Sequence, residues 1–305
     1  MTSFDPAIQM RLIRDLEPAV AVELERHLKV QKNWYPHEYV PWSEGRDYAG
    51  PLNGDAWEAK DSRLTPVAQD SLVLNLLTED NLPSYHTEIA LSMGRDGAWG
   101  TWIERWTAEE ARHSIVIRDY LMATRGVDPY ELEDLRMAHM SLGYATPYEN
   151  DMLHTIAYVS FQELATRISH RNTGKLSDDP IAEGMMQRVA LDENLHMLFY
   201  RNTLSAALDM EPNAAMRAIA DVVTNFDMPG ANMPGFGRKA VQIALAGIYD
   251  LQQHLDDVVA PVLRAWKVFE RDDLSGDGLK ARDELKAFMD QTYKAAAIFN
   301  DKREV

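Results

Sequence analysis

The chain has 305 residues, a formal net charge of −17 and no cysteine. That charge argues against nucleic acid as a partner, because phosphate backbones are held by basic surfaces. The missing cysteines exclude disulfides and cysteine-rich zinc sites, and fit a reducing compartment.

Hydrophobic periodicity predicts helices over 9–31, 67–93, 97–124, 129–142, 151–173, 178–209, 211–226, 235–249 and 254–268, with little strand-like alternation. No apolar run is long enough to cross a bilayer, and Asp5, Arg11, Arg14 and Asp15 interrupt any signal-peptide-like stretch. A cytoplasmic protein with no membrane span is the expectation. The stretch 34–66 contains Pro and Gly among Trp and Tyr residues, and reads as an ordered surface connection because such aromatics favour burial. The expected fold is all-α: one domain over 1–305, with additional helices around a four-helix core.

Two copies of Glu-x-x-His stand out, Glu110 with His113 and Glu193 with His196. A lone glutamate precedes each by about thirty residues, Glu79 and Glu163. Residues three apart share one helix face. The series Ile103, Trp106, Glu110, His113, Ile117 and the series Met186, Val189, Glu193, His196, Tyr200 both step by 3, 4, 3 and 4. Each Glu/His pair therefore replaces core residues on an inward stripe. The lone glutamates sit likewise, within Leu72, Leu76, Glu79, Pro83 and within Ile156, Val159, Glu163, Thr166.

One Glu-x-x-His arises easily by chance, but two inward copies, each with an inward upstream glutamate, form the ligand pattern of a carboxylate-bridged di-metal site in a bundle. Burying four carboxylates without counter-charge costs several kcal/mol or more per ion, so the pattern demands cations. Oxygen and nitrogen donors without sulfur suit iron or manganese better than zinc or magnesium, and iron is the preferred reading.

At these positions the chain resembles the soluble acyl-acyl-carrier-protein desaturases, the plant stearoyl enzymes and the actinobacterial, especially mycobacterial, members. The resemblance is carried by Leu77-Thr78-Glu79-Asp80-Asn81-Leu82-Pro83-Ser84-Tyr85, Trp106-Thr107-Ala108-Glu109-Glu110-Ala111-Arg112-His113, Ser160-Phe161-Gln162-Glu163-Leu164-Ala165-Thr166 and Asp192-Glu193-Asn194-Leu195-His196. The runs Ser169-His170-Arg171-Asn172-Thr173-Gly174-Lys175 and Trp34-Tyr35-Pro36-His37-Glu38-Tyr39-Val40-Pro41-Trp42 extend it over nearly the whole chain.

The resemblance implies a ferritin-like fold and two iron ions held by Glu79, Glu110, His113, Glu163, Glu193 and His196, with the two motif glutamates bridging. It implies that Trp34, His113 and Asp192 carry electrons inward, and that the Thr166 hydroxyl assists oxygen activation. Asp192 also makes independent sense as a carboxylate orienting a ligand histidine. The implied activity is O2-dependent introduction of a cis double bond into a fatty acyl chain on acyl carrier protein, with ferredoxin as electron donor and a homodimer as the working unit. Ile89, Ala90 and Met93 are candidate lining for the acyl tunnel. An acidic carrier meeting a chain of −17 requires local cations, for which Arg26, Lys29, Lys32, Arg171 and Lys175 are candidates. Asn194 and Leu195 stand where relatives often carry cations.

The alternatives on the same scaffold are an N-oxygenase, a radical-generating subunit using Tyr120 or Tyr200, an iron-storage protein, and a paralogue that binds the carrier without turnover. Two further motifs are read as lookalikes. Asp273 to Glu284 imitates a calcium loop, but Ser275 and Ala281 occupy ligand positions, so it reads as a helix-linking turn. Gly235 to Ala240 imitates a dinucleotide fingerprint, but no strand precedes it and Pro234 abuts it.

Overall fold

The computed structural model describes residues 6–303 apart from 145, 147, 149, 231, 232 and 234, so Asp5 and Pro234 lie outside the described residues. The helices are α1 (Pro6–Val30), α2 (Pro66–Asp80), α3 (Leu82–Met93), α4 (Gly97–Ala123), α5 (Pro129–Leu142), α6 (Met152–Leu176), α7 (Pro180–Met210), α8 (Pro212–Thr224), α9 (Phe236–Leu245), α10 (Leu251–Gln253), α11 (Ala260–Ala265) and α12 (Gly276–Arg303). Among the described residues no β-strand forms, and Tyr48 and Asp55 make one isolated bridge.

Most helix starts obey local chemistry. Asp128, Asp151 and Asp179 each cap the following helix with a side-chain oxygen, and Thr65 caps α2. Proline follows at N1 of α2, α5 and α7, where its missing N–H costs nothing. The α4 start is different: its Ala98 N–H is bound at 2.6 Å by Glu17 Oε1 from α1, a cap supplied across space.

Three expectations about elements change. The helix expected over 67–93 is two helices, because Pro83 cannot donate to Glu79 and its ring clashes with that carbonyl, so the chain breaks at Asn81. Pro83 itself is exposed rather than continuing the inward stripe. The stretch expected as a helix over 254–268 runs as a π-helical turn His254–Val259 continuing from α10, then α11, and ends at a 3-10 turn Val268–Glu270. Finally α12 was not anticipated. It packs along α8, and the supposed calcium loop is the turn that starts it. There Arg217 engages Asp277 and Glu284, and Arg271 engages Asp273, so those carboxylates are already paired with arginines. Gly235 has φ 76° and begins α9, with no strand before it among the described residues.

In the connection between α1 and α2, Trp34 is buried and Tyr48 and Trp57 reach the α4 C-terminus, bonding Met122 and Arg125 carbonyls. Tyr35 and Trp42 are more than half exposed, so burial of the aromatics is only partial.

Helices α2, α4, α6 and α7 form the centre. Two apolar clusters fill it. Along α4, residues up to Trp106 join one cluster and residues from Val116 join the other. Along α7 the order reverses: residues up to Val189 join the second cluster and those from Met197 the first. The acidic motifs occupy the gap between the clusters in both helices. The α6–α7 hairpin closes tightly at Gly174, where an added Cβ would lie 2.9 Å from Met186 Cβ and 3.2 Å from Glu183 Cα. Gly174→Val should therefore lower stability by about 1–3 kcal/mol through overpacking, read as a lower urea midpoint at unchanged slope.

Candidate metal centre

The six residues converge. One oxygen or ring nitrogen from each of Glu79, Glu110, His113 and Glu193 lies within 4.8 Å of the others, and the same holds for Glu110, Glu163, Glu193 and His196. Glu110 and Glu193 belong to both groups, and all six side chains are buried. Glu79 comes from the last turn of α2, just before the Asn81 break, and the rest from the middle of α4, α6 and α7.

The atoms facing one another lack hydrogen-bond partners. Glu110 Oε1, Glu163 Oε2, Glu193 Oε1 and the Nδ1 of both histidines are buried and unsatisfied. His196 Nδ1 stands 2.6 Å from Glu110 Oε1 and His113 Nδ1 stands 3.2 Å from Glu110 Oε2. Burial together with the charges of Glu193 and Glu110 pushes the Glu163 carboxyl well above the usual carboxylate range. Burial and Glu193 push Glu110 up as well. The chain alone cannot keep all four carboxylates ionised here, and cations would remove that conflict. The donor set, carboxylate oxygens and imidazole nitrogens without sulfur, fits iron or manganese.

The outward nitrogens point to carboxylates in a crossed arrangement. His196 Nε2 lies 3.0 Å from Glu109 Oε2, and Glu109 immediately precedes Glu110 on the other motif helix. His113 Nε2 lies 3.6 Å from Asp192 Oδ2, and Asp192 immediately precedes Glu193. Glu109 thus orients His196 by a hydrogen bond, Asp192 faces His113 at ion-pair distance, and the Nδ1 of both rings is left for the centre.

Each outer carboxylate is itself held. Asp192 accepts from Trp34 Nε1 at 2.7 Å, from Arg112 at 3.1 Å and from Arg188. Burial alone would raise its carboxyl, but the proton and charge of His113, the charge of His196 and the Trp34 N–H outweigh it, at about 2. Glu109 is bonded by His27 Nε2 at 3.0 Å and by Arg105, and against the effect of burial His196 and His27 hold it well below the carboxylate range. The Trp34 ring lies nearly parallel to His113, 6.4 Å between centroids at 14°, with the Arg112 guanidinium 5.0 Å from its face. Thr166 Oγ1 lies 3.0 Å from Glu193 Oε2 and 3.1 Å from the Gln162 and Glu163 carbonyls, and its single proton can serve any one of these acceptors.

Sequence reasoning missed several neighbours. His170 Nε2 lies 2.8 Å from Glu79 Oε1 and 3.5 Å from Glu193 Oε1. Burial would lower its pKa, but those two carboxylates raise it to about 9. The signal was present, since Glu163, Thr166 and His170 continue one 3–4 step. Trp106, read as apolar stripe, donates its Nε1–H to Glu163 at 3.1 Å. Of the tyrosines, Tyr120 donates to Asp179 at 2.6 Å, and Tyr200 packs among Trp102 and Phe199.

Two cavities flank the centre. One is bounded by Glu79, Glu110, Trp106, Leu82, Tyr85 and Ile89 among others. The second is bounded by Thr166, His170, Ser169, Asn75 and residues around α9. Thr78 and Pro229 line both. Of the three residues expected as lining, Ile89 borders the first cavity, whereas Ala90 and Met93 border neither cavity and pack in the larger apolar cluster.

The family profile described as fatty acid desaturase matches residues 8–305. This chain belongs to the fatty acid desaturase family. A Mycobacterium tuberculosis protein with the provisional name acyl-acyl-carrier-protein desaturase DesA1 is 53% identical over 284 residues, covering 90% of this chain and 83% of its own length. The chloroplastic stearoyl-acyl-carrier-protein 9-desaturase of Simmondsia chinensis is 31% identical, covering 91% of this chain and 74% of its own. The X-ray structure of the desaturase homologue DesA2 from M. tuberculosis H37Rv superposes with a TM-score of 0.74 at 29% identity, covering 91% of this chain and 99% of that one. The all-α, ferritin-like architecture is therefore shared. Among the described residues no helix is long and apolar enough to cross a membrane.

Trp34→Phe keeps a ring against His113 but removes the N–H that Asp192 accepts. Loss of a buried bond to a charged acceptor predicts about 1.5–3 kcal/mol lower stability by urea unfolding, whereas a residue that merely packs would cost well under 1 kcal/mol.

Proposed function

We propose that the chain is an acyl-acyl-carrier-protein desaturase that uses O2 to introduce a cis double bond into the acyl chain. One observation carries this reading: six buried Glu and His side chains converge, five of them with inward atoms that lack hydrogen-bond partners, beside two cavities in a desaturase-family chain. In this reading Glu79, Glu110, His113 and Glu193 hold one iron, and Glu163, Glu110, Glu193 and His196 hold the other, with Glu110 and Glu193 shared. The iron pair supplies the O2-driven oxidation of an unactivated CH2–CH2 unit, which no side chain performs.

The residues around the centre then divide the remaining work. The cavities that meet at Thr78 and Pro229 hold the acyl chain so that one C–C bond passes Glu79 and Glu110 while water is kept out. Thr166 fixes the Glu193 carboxylate and offers a hydroxyl on the side of the second cavity. Glu109 and Asp192 set the ring orientation of His196 and His113. Trp34, bonded to Asp192 and parallel to His113, is the proposed entry for the two electrons each turnover consumes, delivered by ferredoxin. The net change is CH2–CH2 plus O2, two electrons and two protons giving CH=CH and two waters. For docking of the acidic carrier, Lys32, Arg171 and Lys175 are better placed than Arg26 and Lys29. The latter are already paired with Glu23 at 2.5 Å and Glu25 at 2.6 Å. We further propose a cytoplasmic homodimer in which residues 1–305 form one domain.

The test is anaerobic iron loading, then stearoyl- or palmitoyl-acyl carrier protein with O2 and a ferredoxin reductase system. Two irons per chain and a mono-unsaturated product are expected. Two irons with no product would redirect the reading to another oxygenase or a radical-generating subunit, and a chain that never takes up two irons would sink it. Asp192→Asn should weaken iron retention or turnover by about 10–100-fold, measured by chelator competition and product yield.

A further inference from the structure

On the side of α6 away from both cavities lies an open groove. Arg167 and Arg171 enter it from α6, Arg201 from α7 and Asp257 from the π-helical turn. Leu164, Ile168, Met197, Pro261 and Val262 form an apolar floor, and the groove shares no lining residue with either cavity. Among the described residues none of the three guanidiniums has a carboxylate within ion-pair distance, although most arginines of this acidic chain do. Burial and the neighbouring Arg171 lower the Arg167 pKa; burial and Arg26 lower that of Arg201. Like charges held together beside one carboxylate are in repulsion, which a bound anion would relieve. The guanidinium fork matches phosphoryl and carboxylate oxygens in pairs. The π-turn that brings in Asp257 is an element often kept at functional positions.

We propose that this groove binds a phosphate ester, its phosphoryl group held by Arg167, Arg171 and Arg201 and its aliphatic part on the apolar floor. The site shares no lining residue with the acyl cavities and does not rest on the desaturase reading, although Arg171 is also one of the cations proposed above for carrier docking.

Isothermal titration of the full iron-loaded chain with n-butyl phosphate and with inorganic phosphate tests it. Butyl phosphate should bind saturably and at least about tenfold tighter than inorganic phosphate, the gain from roughly two buried methylenes. Arg171→Gln, at an exposed position compatible with folding, should weaken binding about tenfold or more, and R167Q/R171Q should abolish it. Asp257→Asn, which removes the opposing carboxylate, should tighten it, an effect that a fold defect would not give. Inorganic phosphate binding as tightly as the ester, with the same response to the variants, would assign the groove to free oxyanion and overturn the ester. No saturable binding, or binding indifferent to these substitutions, would overturn the site itself.

Discussion

Everything in the centre of this bundle follows from placing four glutamates where a bundle normally places leucine. A buried carboxylate is tolerated only when neutralised, paired or metal-bound. The two inner histidines leave the acidic charge in excess, and the upward pressure on Glu110 and Glu163 is its local expression. The apolar core responds by dividing, with one cluster on either side of the polar belt, so α4 and α7 each change cluster as they cross it. The fold is in this sense built around an electrostatic debt that cations would discharge.

The crossed carboxylates explain how such a centre stays ordered. A histidine three residues after its own glutamate can turn either ring nitrogen inward unless something fixes the other. Glu109 and Asp192 do this for the opposite helix, and because each immediately precedes a motif glutamate, one helix rotation sets both the inner and outer group. The outer carboxylates are in turn tied to arginines and to His27 or Trp34. The two halves are therefore alike in plan but not in their outer end. One terminates in the His27 imidazole of α1, stacked on the His196 ring at 5.9 Å and 28°, the other in the Trp34 indole of the connection after α1, stacked on the His113 ring at 6.4 Å and 14°.

Much of this was legible in the sequence, because the 3–4 step is a property of a single helix and needs no tertiary knowledge. The four inward stripes, the helix limits set by Asp and Pro, and the equal spacing of the two ligand sets were readable for that reason. What escaped depends on contacts between elements. The Glu109 bond to His196 links helices distant in sequence, and nothing in a local window marks Glu109 rather than Glu104 as buried. Trp106 was read by its ring and not by its N–H. Helix α12 is absent from the expected helices although the turn before it reads as helix-linking, because its sequence is strongly charged and its packing partner α8 lies far away in the chain. The break at Asn81 was available from Pro83, and there periodicity prevailed wrongly over proline sterics.

That break has a consequence beyond secondary structure. Had α2 continued through Pro83, the face of Glu79 would have run on through His86 and Ala90, and Tyr85 and Ile89 would have turned away from the carboxylate. Redirected at Asn81, α3 instead lays Leu82, Tyr85 and Ile89 along a cavity that begins at Glu79 and Glu110, while Ala90 and Met93 turn into the apolar cluster. The proline that spoils an ideal helix therefore opens the cavity next to the very residue whose burial is hardest to satisfy. Thr78, one position before Glu79, and Pro229 remain as the shared rim between this cavity and the one beyond it. Access to the centre and the electrostatics of the centre are thus set within five residues of chain. Any change that straightened the helix would alter both together.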